Sequence, residues 1–319
     1  MSLALSFPKK SNKILDYTFQ KLLKKQLEWF LSPKSLGLEK VDGPHTPIEQ
    51  ANLISIFYKN LPKVKGKGDL LDFELINNSD FDRSYSIVPY LNPVAEFVKW
   101  ARGNLKKYIS SFWIHGSISS KDYIIGWSDF DTYVIVKEST ILDSSKLCEL
   151  RKLLIYGYRY LLKIDPLQHH GFLVCSEYDT KNYLPGFLPL NVLKDSIKII
   201  GKKKIRLKVP QNIKHDKILP NIYSLLKDAV KTGYFKHHPR EGIYLKENFK
   251  NASNSMYQMK NFISLINILP IYFFNDKNEE CTKKESFNMI KKEKLKNIDI
   301  LNIASHIREK WAEMEQHPF

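Results

Sequence analysis

The segment from Trp113 to Val136, WIHGSISSKDYIIGWSDFDTYVIV, constrains the fold more than any other part of the sequence. It contains two apolar runs rich in β-branched and aromatic residues, and a polar turn separates them. Such runs predict two neighbouring strands. Helical periodicity over residues 93–109 and 143–164 surrounds them, and a third strand is predicted over residues 169–176. We therefore expect an α/β fold of the α+β kind, in which helices flank a small mixed sheet.

The length of the chain, 319 residues, is enough for two or three domains. We assign residues 1–92 to a mainly helical N-terminal region, in which Thr46 caps a helix and the sequence LLDFELI predicts a strand within a candidate small insertion. Residues 93–207 form the predicted α/β domain. Residues 208–319 carry apolar side chains at helical spacing and are predicted to form a mainly helical C-terminal domain.

The charge of the chain is strongly basic, with 50 Lys and Arg against 34 Asp and Glu and a formal net charge of +16. Such a field attracts phosphates, nucleotides, nucleic acid or anionic lipid. The excess is mostly Lys scattered beside many Asn and Ile, which a bias in the coding sequence explains equally well. Nucleic acid therefore remains one candidate partner among several.

The cysteines and the apolar segments indicate the compartment. Cys148, Cys175 and Cys281 lie far apart without CxxC spacing, so we expect neither a disulfide framework nor a thiolate zinc site. The longest apolar stretch, residues 262–274, is shorter than the roughly 18 residues that cross a bilayer. The N-terminal segment lacks the pattern of a signal peptide. We expect a soluble cytoplasmic protein without a membrane partner.

Two acidic side chains, Asp129 and Asp131, lead into the second predicted strand. Residues two apart on a strand project to the same side, while Phe130 between them would turn to the core. Two carboxylates this close repel unless a cation lies between them. Oxygen ligands without a neighbouring thiol suit Mg²⁺ or Mn²⁺. Upstream, Gly116 allows a close backbone approach, and the N–H groups of the turn together with the Ser117 hydroxyl can hold phosphate oxygens.

These residues together resemble the nucleotidyltransferase superfamily typified by DNA polymerase beta. The pattern is a strand, Gly116-Ser117, a short gap, and Ser128-Asp129-Phe130-Asp131 before the strand TYVIV. The resemblance covers about residues 93–200. It implies that Asp129 and Asp131 are catalytic metal ligands for Mg²⁺ or Mn²⁺, and that Gly116 and Ser117 hold the phosphates of a nucleoside triphosphate (NTP). Lys121 and Ser128 would add contacts to the nucleotide.

The third carboxylate that such enzymes usually carry on the next strand is not evident. No acid lies between Gln168 and Ser176, so the matching position falls on His169 or His170. We assign His170 as the candidate general base, because a reference pKa of roughly 6.5 suits proton transfer. Three alternatives stay open. The acid comes from Asp165, Glu177 or Asp179; the histidines are a packing pair; or the acid is absent and the activity is lost or altered.

The resemblance implies transfer of a nucleoside monophosphate from an NTP to a hydroxyl of a small molecule or a protein, with release of pyrophosphate. The alternative is a degenerate module of the same fold that binds nucleotide, nucleic acid or a partner protein. In the C-terminal region, Tyr244, Phe249 and Tyr257 either stack on the acceptor or belong to the core. Neither the acceptor nor the oligomeric state follows from the sequence.

Overall fold

The computed structural model describes residues 46–60, 70–76, 81, 85, 87–168, 171–183, 188, 190–202, 204–210, 218–235, 243–244, 252–277, 279, 281–293 and 298–312. The strands are β1 (Leu70–Ile76), β2 (Ile109–Ile114), β3 (Thr132–Val136), β4 (Leu173–Ser176), β5 (Ile197–Ile200), β6 (Lys204–Pro210), β7 (Tyr234–Phe235) and β8 (Ile243–Tyr244). The helices are α1 (Pro47–Asn60), α2 (Asn92–Asn104), α3 (Ser117–Ser120), α4 (Glu138–Ile141), α5 (Ser144–Ile164), α6 (Leu190–Lys194), α7 (Ile218–Thr232), α8 (Ala252–Asp276), α9 (Lys283–Ile290) and α10 (Asp299–Glu309). This mixture confirms the α+β class.

The central sheet has four strands in the order β4-β3-β2-β5. β2 is antiparallel to both β3 and β5, whereas β3 and β4 are parallel. The parallel pair requires a crossover, which α5 supplies, and Asp143 caps this helix by accepting from the Lys146 N–H at 3.1 Å. The three strands predicted around residues 110–115, 129–136 and 169–176 are therefore present. β2 has the predicted length but begins one residue earlier, whereas β3 and β4 are shorter than the sequence indicated.

Successive side chains of β2 and β3 point to opposite faces of the sheet, so the core has one layer on each face. One face carries Phe112 and Val134, which pack under α2 and α5 around the fully buried Phe97. The other face carries Trp113 and Tyr133, which pack with residues of β6. The sheet is thus covered by helices on one side and by a two-stranded ribbon on the other.

That ribbon joins the N-terminal region to the end of the central domain. β1 pairs antiparallel with β6, from Leu70 opposite Pro210 to Ile76 opposite Lys204. The strand expected in LLDFELI is therefore present, and its partner is the last strand before the helical region. α1 begins after Thr46, whose N–H donates to Glu49 at 2.7 Å while the Glu49 N–H donates to the Thr46 hydroxyl.

Among the described residues from 218 onward, the regular structure is helical, as expected, apart from one short ribbon. The sequence predicted a helix from residue 241, but Ile243 and Tyr244 form β8 and pair with β7. Gly233 ends α7 with a φ of 69°, which turns the chain into this ribbon. Phe249 lies outside the described residues, and Tyr257 is buried at 2% exposure, as a core residue would be. In the described ranges no helix is long and apolar enough to span a bilayer.

Candidate metal and nucleotide site

The turn after β2 lies directly against Asp131. Gly116 has φ 73° and ψ −154°, a conformation that is essentially restricted to glycine. A Cβ added to Gly116 would lie 2.5 Å from Asp131 Oδ2, so only the missing side chain lets the carboxylate reach the turn. The His115 N–H donates to the Asp131 carbonyl oxygen at 3.1 Å and holds the two segments side by side. The turn predicted to bind phosphate, at Gly116, is therefore in direct contact with Asp131, one of the two predicted metal ligands.

Ser117 begins the short helix α3, which the Gly116 carbonyl oxygen organises. That oxygen accepts from the Ser119 hydroxyl at 2.8 Å and from the Ser120 N–H at 3.1 Å. Lys121 ends the helix in the left-handed conformation with φ 61°. Its side chain is exposed, and the ammonium lies 5.9 Å from the centre of the Tyr85 ring. Lys121 thus lies at the rim of the turn.

The two acids precede β3 and do not belong to it. The strand begins at Thr132, so the expectation that strand alternation aligns Asp129 with Asp131 is wrong in its stated form. A loop contact fixes the segment instead: the Phe130 N–H donates to Gln168 Oε1 at 3.1 Å, and the Phe130 side chain is fully buried, as expected. Asp129 is nearly covered, with 12% of its side chain exposed.

The loop before the acids packs on the C-terminal helices. Trp127 meets Trp311 edge to face, with ring centres 5.0 Å apart, and both belong to one apolar cluster with Ile263 of α8. Ser128 is buried, and its hydroxyl accepts from the Ile124 N–H at 2.8 Å. This hydroxyl therefore closes the loop from within, whereas the sequence assigned Ser128 to nucleotide contact.

A buried lysine of α8 reaches into the acidic site. Lys260 Nζ lies 2.6 Å from Asp129 Oδ1 and also contacts Asp165 Oδ2, with only 5% of its side chain exposed. The ammonium lies 5.7 Å from the centre of the Trp127 ring, within cation–π range. Desolvation alone would lower the pKa of Lys260, but the two carboxylates outweigh it and raise the pKa. Lys260 is therefore a charged bridge between the two acids.

Of the three candidate acids that the sequence left open, Asp165 is the one that lies beside Asp129, joined to it by Lys260. Its side chain is fully buried at the end of α5, and its Oδ1 accepts from the Leu167 N–H at 2.9 Å. Burial raises the pKa of Asp165 to about 7, although Lys260 opposes the shift. Glu177 instead accepts from the Glu138 N–H at 2.7 Å, and Asp179 from the Tyr58 hydroxyl at 2.9 Å, beyond the far end of β3. His169 and His170 lie outside the described residues.

Two further basic residues of the C-terminal helices, Lys283 and Arg308, lie within electrostatic range of Asp122, in the loop between α3 and β3. Burial lowers the pKa of Lys283, the first residue of α9, to about 8, and Arg308 of α10 adds to this effect. Asp122, Asp129 and Asp131 oppose it, which places Lys283 within electrostatic range of the acidic pair. The Arg308 Nε is buried and has no hydrogen-bond acceptor among the described residues. Burial also lowers the pKa of Arg308.

The donor set suits a hard divalent cation but is small. Within the described ranges, no three His, Cys, Asp or Glu side chains form a group that could hold a metal ion. Asp131 at the glycine turn and Asp129 beside it offer the carboxylate oxygens that Mg²⁺ and Mn²⁺ prefer. The third acid, Asp165, is already engaged by Lys260.

Sequence reasoning missed all three basic residues of the C-terminal helices. Lys260 carried a signal, because it falls in the stripe Met256, Lys260, Ile263 and Asn267, where helical spacing predicts burial. Lysine is almost never fully buried without a partner, so its position in that stripe predicts a nearby acid. Lys283 and Arg308 carry no comparable signal.

No model of a known protein family matches the chain, and neither a curated protein nor a solved structure matches it significantly.

Proposed function

We propose that the chain is a metal-dependent nucleotidyltransferase, which moves a nucleoside monophosphate from an NTP to a hydroxyl of a small molecule or a protein. The observation that carries this proposal is the contact between Asp131 and Gly116, because it unites a metal ligand with a phosphate-binding turn. Mixed strands β2, β3 and β4 in this order give the frame that the sequence motif calls for. The reducing cytoplasm, which contains NTP and Mg²⁺, is the compartment we propose.

In this proposal the acidic residues bind the metal ion, and the glycine turn and the basic residues bind the phosphates. Asp131 and Asp129 would hold Mg²⁺ or Mn²⁺, which supplies charge stabilisation for a triphosphate under in-line attack. Gly116 and Ser117 would bind phosphate oxygens through the turn, with Lys121 at its rim. Lys283 and Arg308 would pair with the remaining charge of the triphosphate, for which the Arg308 Nε offers a hydrogen-bond donor.

The reaction balances without a further reactant. The acceptor oxygen forms a bond to the α-phosphorus, the bond from that phosphorus to the pyrophosphate oxygen breaks, and the acceptor hydroxyl loses its proton. His170 remains the predicted acceptor of that proton. Asp165, one of the acids that the sequence left open, is a second candidate, since the Lys260 ammonium joins it to Asp129.

Equilibrium binding of a fluorescent NTP to the full chain, with and without Mg²⁺, tests the proposal. We expect binding that requires Mg²⁺ and falls at least tenfold in Asp131→Asn. Asp228→Asn is the matched control, since it removes one exposed carboxylate from α7 and leaves the site intact. Equal Mg²⁺-dependent affinity in both variants would refute the proposal.

A second candidate function is a module of the same fold that binds nucleotide, nucleic acid or a partner protein without catalysis. The Lys260 bridge favours it, because a fixed ammonium already neutralises Asp129 and Asp165. RNA affinity that declines steeply with salt, together with no pyrophosphate release from any NTP, would select this function.

A further inference from the structure

A basic cavity lies at the end of the central sheet that is remote from the Gly116 turn. Its volume is about 620 Å³, and its lining includes Arg102, Lys106, Lys107 and Lys137. Lys107 precedes β2 and Lys137 follows β3, whereas Gly116 comes after β2. The six residues of β2 separate the cavity from the turn by about 20 Å, at about 3.3 Å per residue. The cavity is therefore distinct from the site proposed to bind NTP.

Most of the positive charge in this cavity has no counter-charge. Lys107 pairs with Glu149 at 3.6 Å. Within the described part of the chain, no carboxylate lies within ion-pair distance of Arg102, Lys106 or Lys137. Four cations and one carboxylate leave a net charge of +3 at the cavity. Clustered charge of one sign in a concave surface attracts ligands of the opposite sign.

Two of these cations are held in place by main-chain carbonyl groups. The Lys137 ammonium donates to the Lys106 carbonyl oxygen at 2.8 Å and to that of Lys107 at 3.3 Å. The Arg102 Nε donates to the Ile199 carbonyl oxygen at 3.2 Å, which leaves the two terminal nitrogens of the guanidinium as donors. A carbonyl oxygen is uncharged, so these bonds fix each cation without cancelling its charge. Cations held in this way lose less conformational entropy when they bind an anion.

The lining favours phosphate groups over an apolar ligand or a base. Cavities that bind small molecules are lined mainly by hydrophobic and aromatic side chains. Among the described residues of this lining, the aromatic ring is that of Tyr108, which is buried and bonded through its hydroxyl to Glu149. This ring is not available for stacking on a base. A nucleic acid held without base contacts is bound through its phosphates, and such binding does not depend on sequence.

We propose that this cavity binds the phosphate backbone of a nucleic-acid strand without regard to its sequence. The cations come from the end of α2, the turn before β2 and the residue after β3, so they can pair with successive phosphates of one strand. The inference goes beyond the proposed transfer reaction and does not depend on it, because the cavity shares no residue with the Gly116 turn or the acidic site.

Fluorescence anisotropy of a labelled single-stranded RNA, titrated with the full chain at several NaCl concentrations, tests this inference. Arg102→Gln/Lys106→Gln should bind the RNA at least tenfold more weakly than the wild type. The slope of log affinity against log salt should become shallower by about 1.4, since each phosphate contact contributes about 0.7. Lys227→Gln/Lys231→Gln, at exposed positions of α7, makes the same change in net charge and should bind as the wild type does. Asp131→Asn should also leave RNA binding unchanged, which separates this cavity from the proposed NTP site.

Equal losses of affinity in the two double variants would show a general effect of net charge and overturn the inference, as would a wild type that does not bind the RNA. Inorganic phosphate that competes as well as unlabelled RNA, at equal phosphate concentration, would overturn it in favour of a small phosphorylated ligand. Phosphatidylserine vesicles bound through Arg102 and Lys106, without RNA binding, would overturn it in favour of a membrane surface. If Arg102→Gln/Lys106→Gln does not fold by circular dichroism, Lys106→Gln alone, at an exposed side chain, decides through a slope change of about 0.7.

Discussion

Replacement of Gly116 by Ala tests the contact on which the site depends. Two effects act at this position. The φ and ψ of Gly116 lie in a region that costs a residue with a side chain about 1–3 kcal/mol. In addition, the new Cβ would lie 2.5 Å from Asp131 Oδ2, far inside van der Waals contact, so the carboxylate must move. Gly116→Ala should therefore lower both the stability of the fold and the affinity for Mg²⁺ and NTP.

Two other glycines separate these effects. Gly233 has a φ of 69° but open space where a Cβ would lie, whereas Gly103 has the same open space without a positive φ. The three variants should differ in melting temperature. Gly116→Ala should lose roughly 2–12 °C, since about 1–3 kcal/mol corresponds to about 2–4 °C per kcal/mol for large domains. Gly233→Ala loses less, and Gly103→Ala is neutral or slightly stabilised, because Ala favours a helix over Gly.

The binding assay then isolates the contact with Asp131. Mg²⁺-dependent NTP affinity, measured by titration calorimetry, should fall at least tenfold in Gly116→Ala and remain unchanged in Gly233→Ala and Gly103→Ala. The reasoning is refuted if Gly116→Ala binds NTP as the wild type does, or melts at the temperature of Gly103→Ala.

Three other predictions concern the charged groups around the site. Lys260→Met should reduce the free energy of unfolding in urea by about 3–5 kcal/mol near pH 8, since it breaks a buried ion pair, while Lys260→Arg should lose less; equal losses would contradict the pairing. Burial raises the pKa of Asp165 to about 7 in the folded chain, beside Lys260 and Asp129, whereas an exposed Asp titrates near pH 4. Protonation of Asp165 therefore stabilises the folded state fully below about pH 4, and this stabilisation is lost as the pH rises to 7. Asp165→Asn should remove this part of the pH dependence, and an unaltered profile would count against the shift. Lys283→Met should weaken NTP binding several-fold and reduce its salt dependence, whereas Lys284→Met, at the exposed neighbouring position, should not. Identical NTP affinities of the two variants would show that Lys283 does not contact the phosphates.

Helices and strands could be predicted from the sequence where a local residue pattern determines the secondary structure. The alternation in β2 and β3 and the apolar periodicity of α5 appear directly in the sequence. The sequence offers both Asp143 and Ser144 as caps of α5, and Asp143 is the one that caps it. The pairing of β1 with β6 could not be predicted, because 127 residues separate Ile76 from Lys204 and no local signal links the two strands. The sequence predicts helix where β8 pairs with β7, since apolar spacing does not reveal a backbone pairing across a loop.

The part of the site that lies within one strand–turn–strand segment was also predictable from the sequence. Gly116 and Asp131 meet because β2 and β3 are adjacent antiparallel strands, so the end of one lies opposite the start of the other. Asp165 and Lys260 lie far from the motif in sequence and reach it only through tertiary packing of α5 and α8. The strand rule for Asp129 and Asp131 failed because the loop, held by Gln168, replaces the strand at those residues.

The position of the metal ion in a complex tests the account most directly. Crystals of the full chain with Mn²⁺ and a non-hydrolysable ATP analogue, measured at the manganese absorption edge, locate the ion by its anomalous signal. We expect a peak at an ordinary ligand distance of about 2.0–2.3 Å from a carboxylate oxygen of Asp131, with the analogue's phosphates against the Gly116 turn. A nucleotide bound elsewhere, or a manganese peak remote from Asp131, would contradict it.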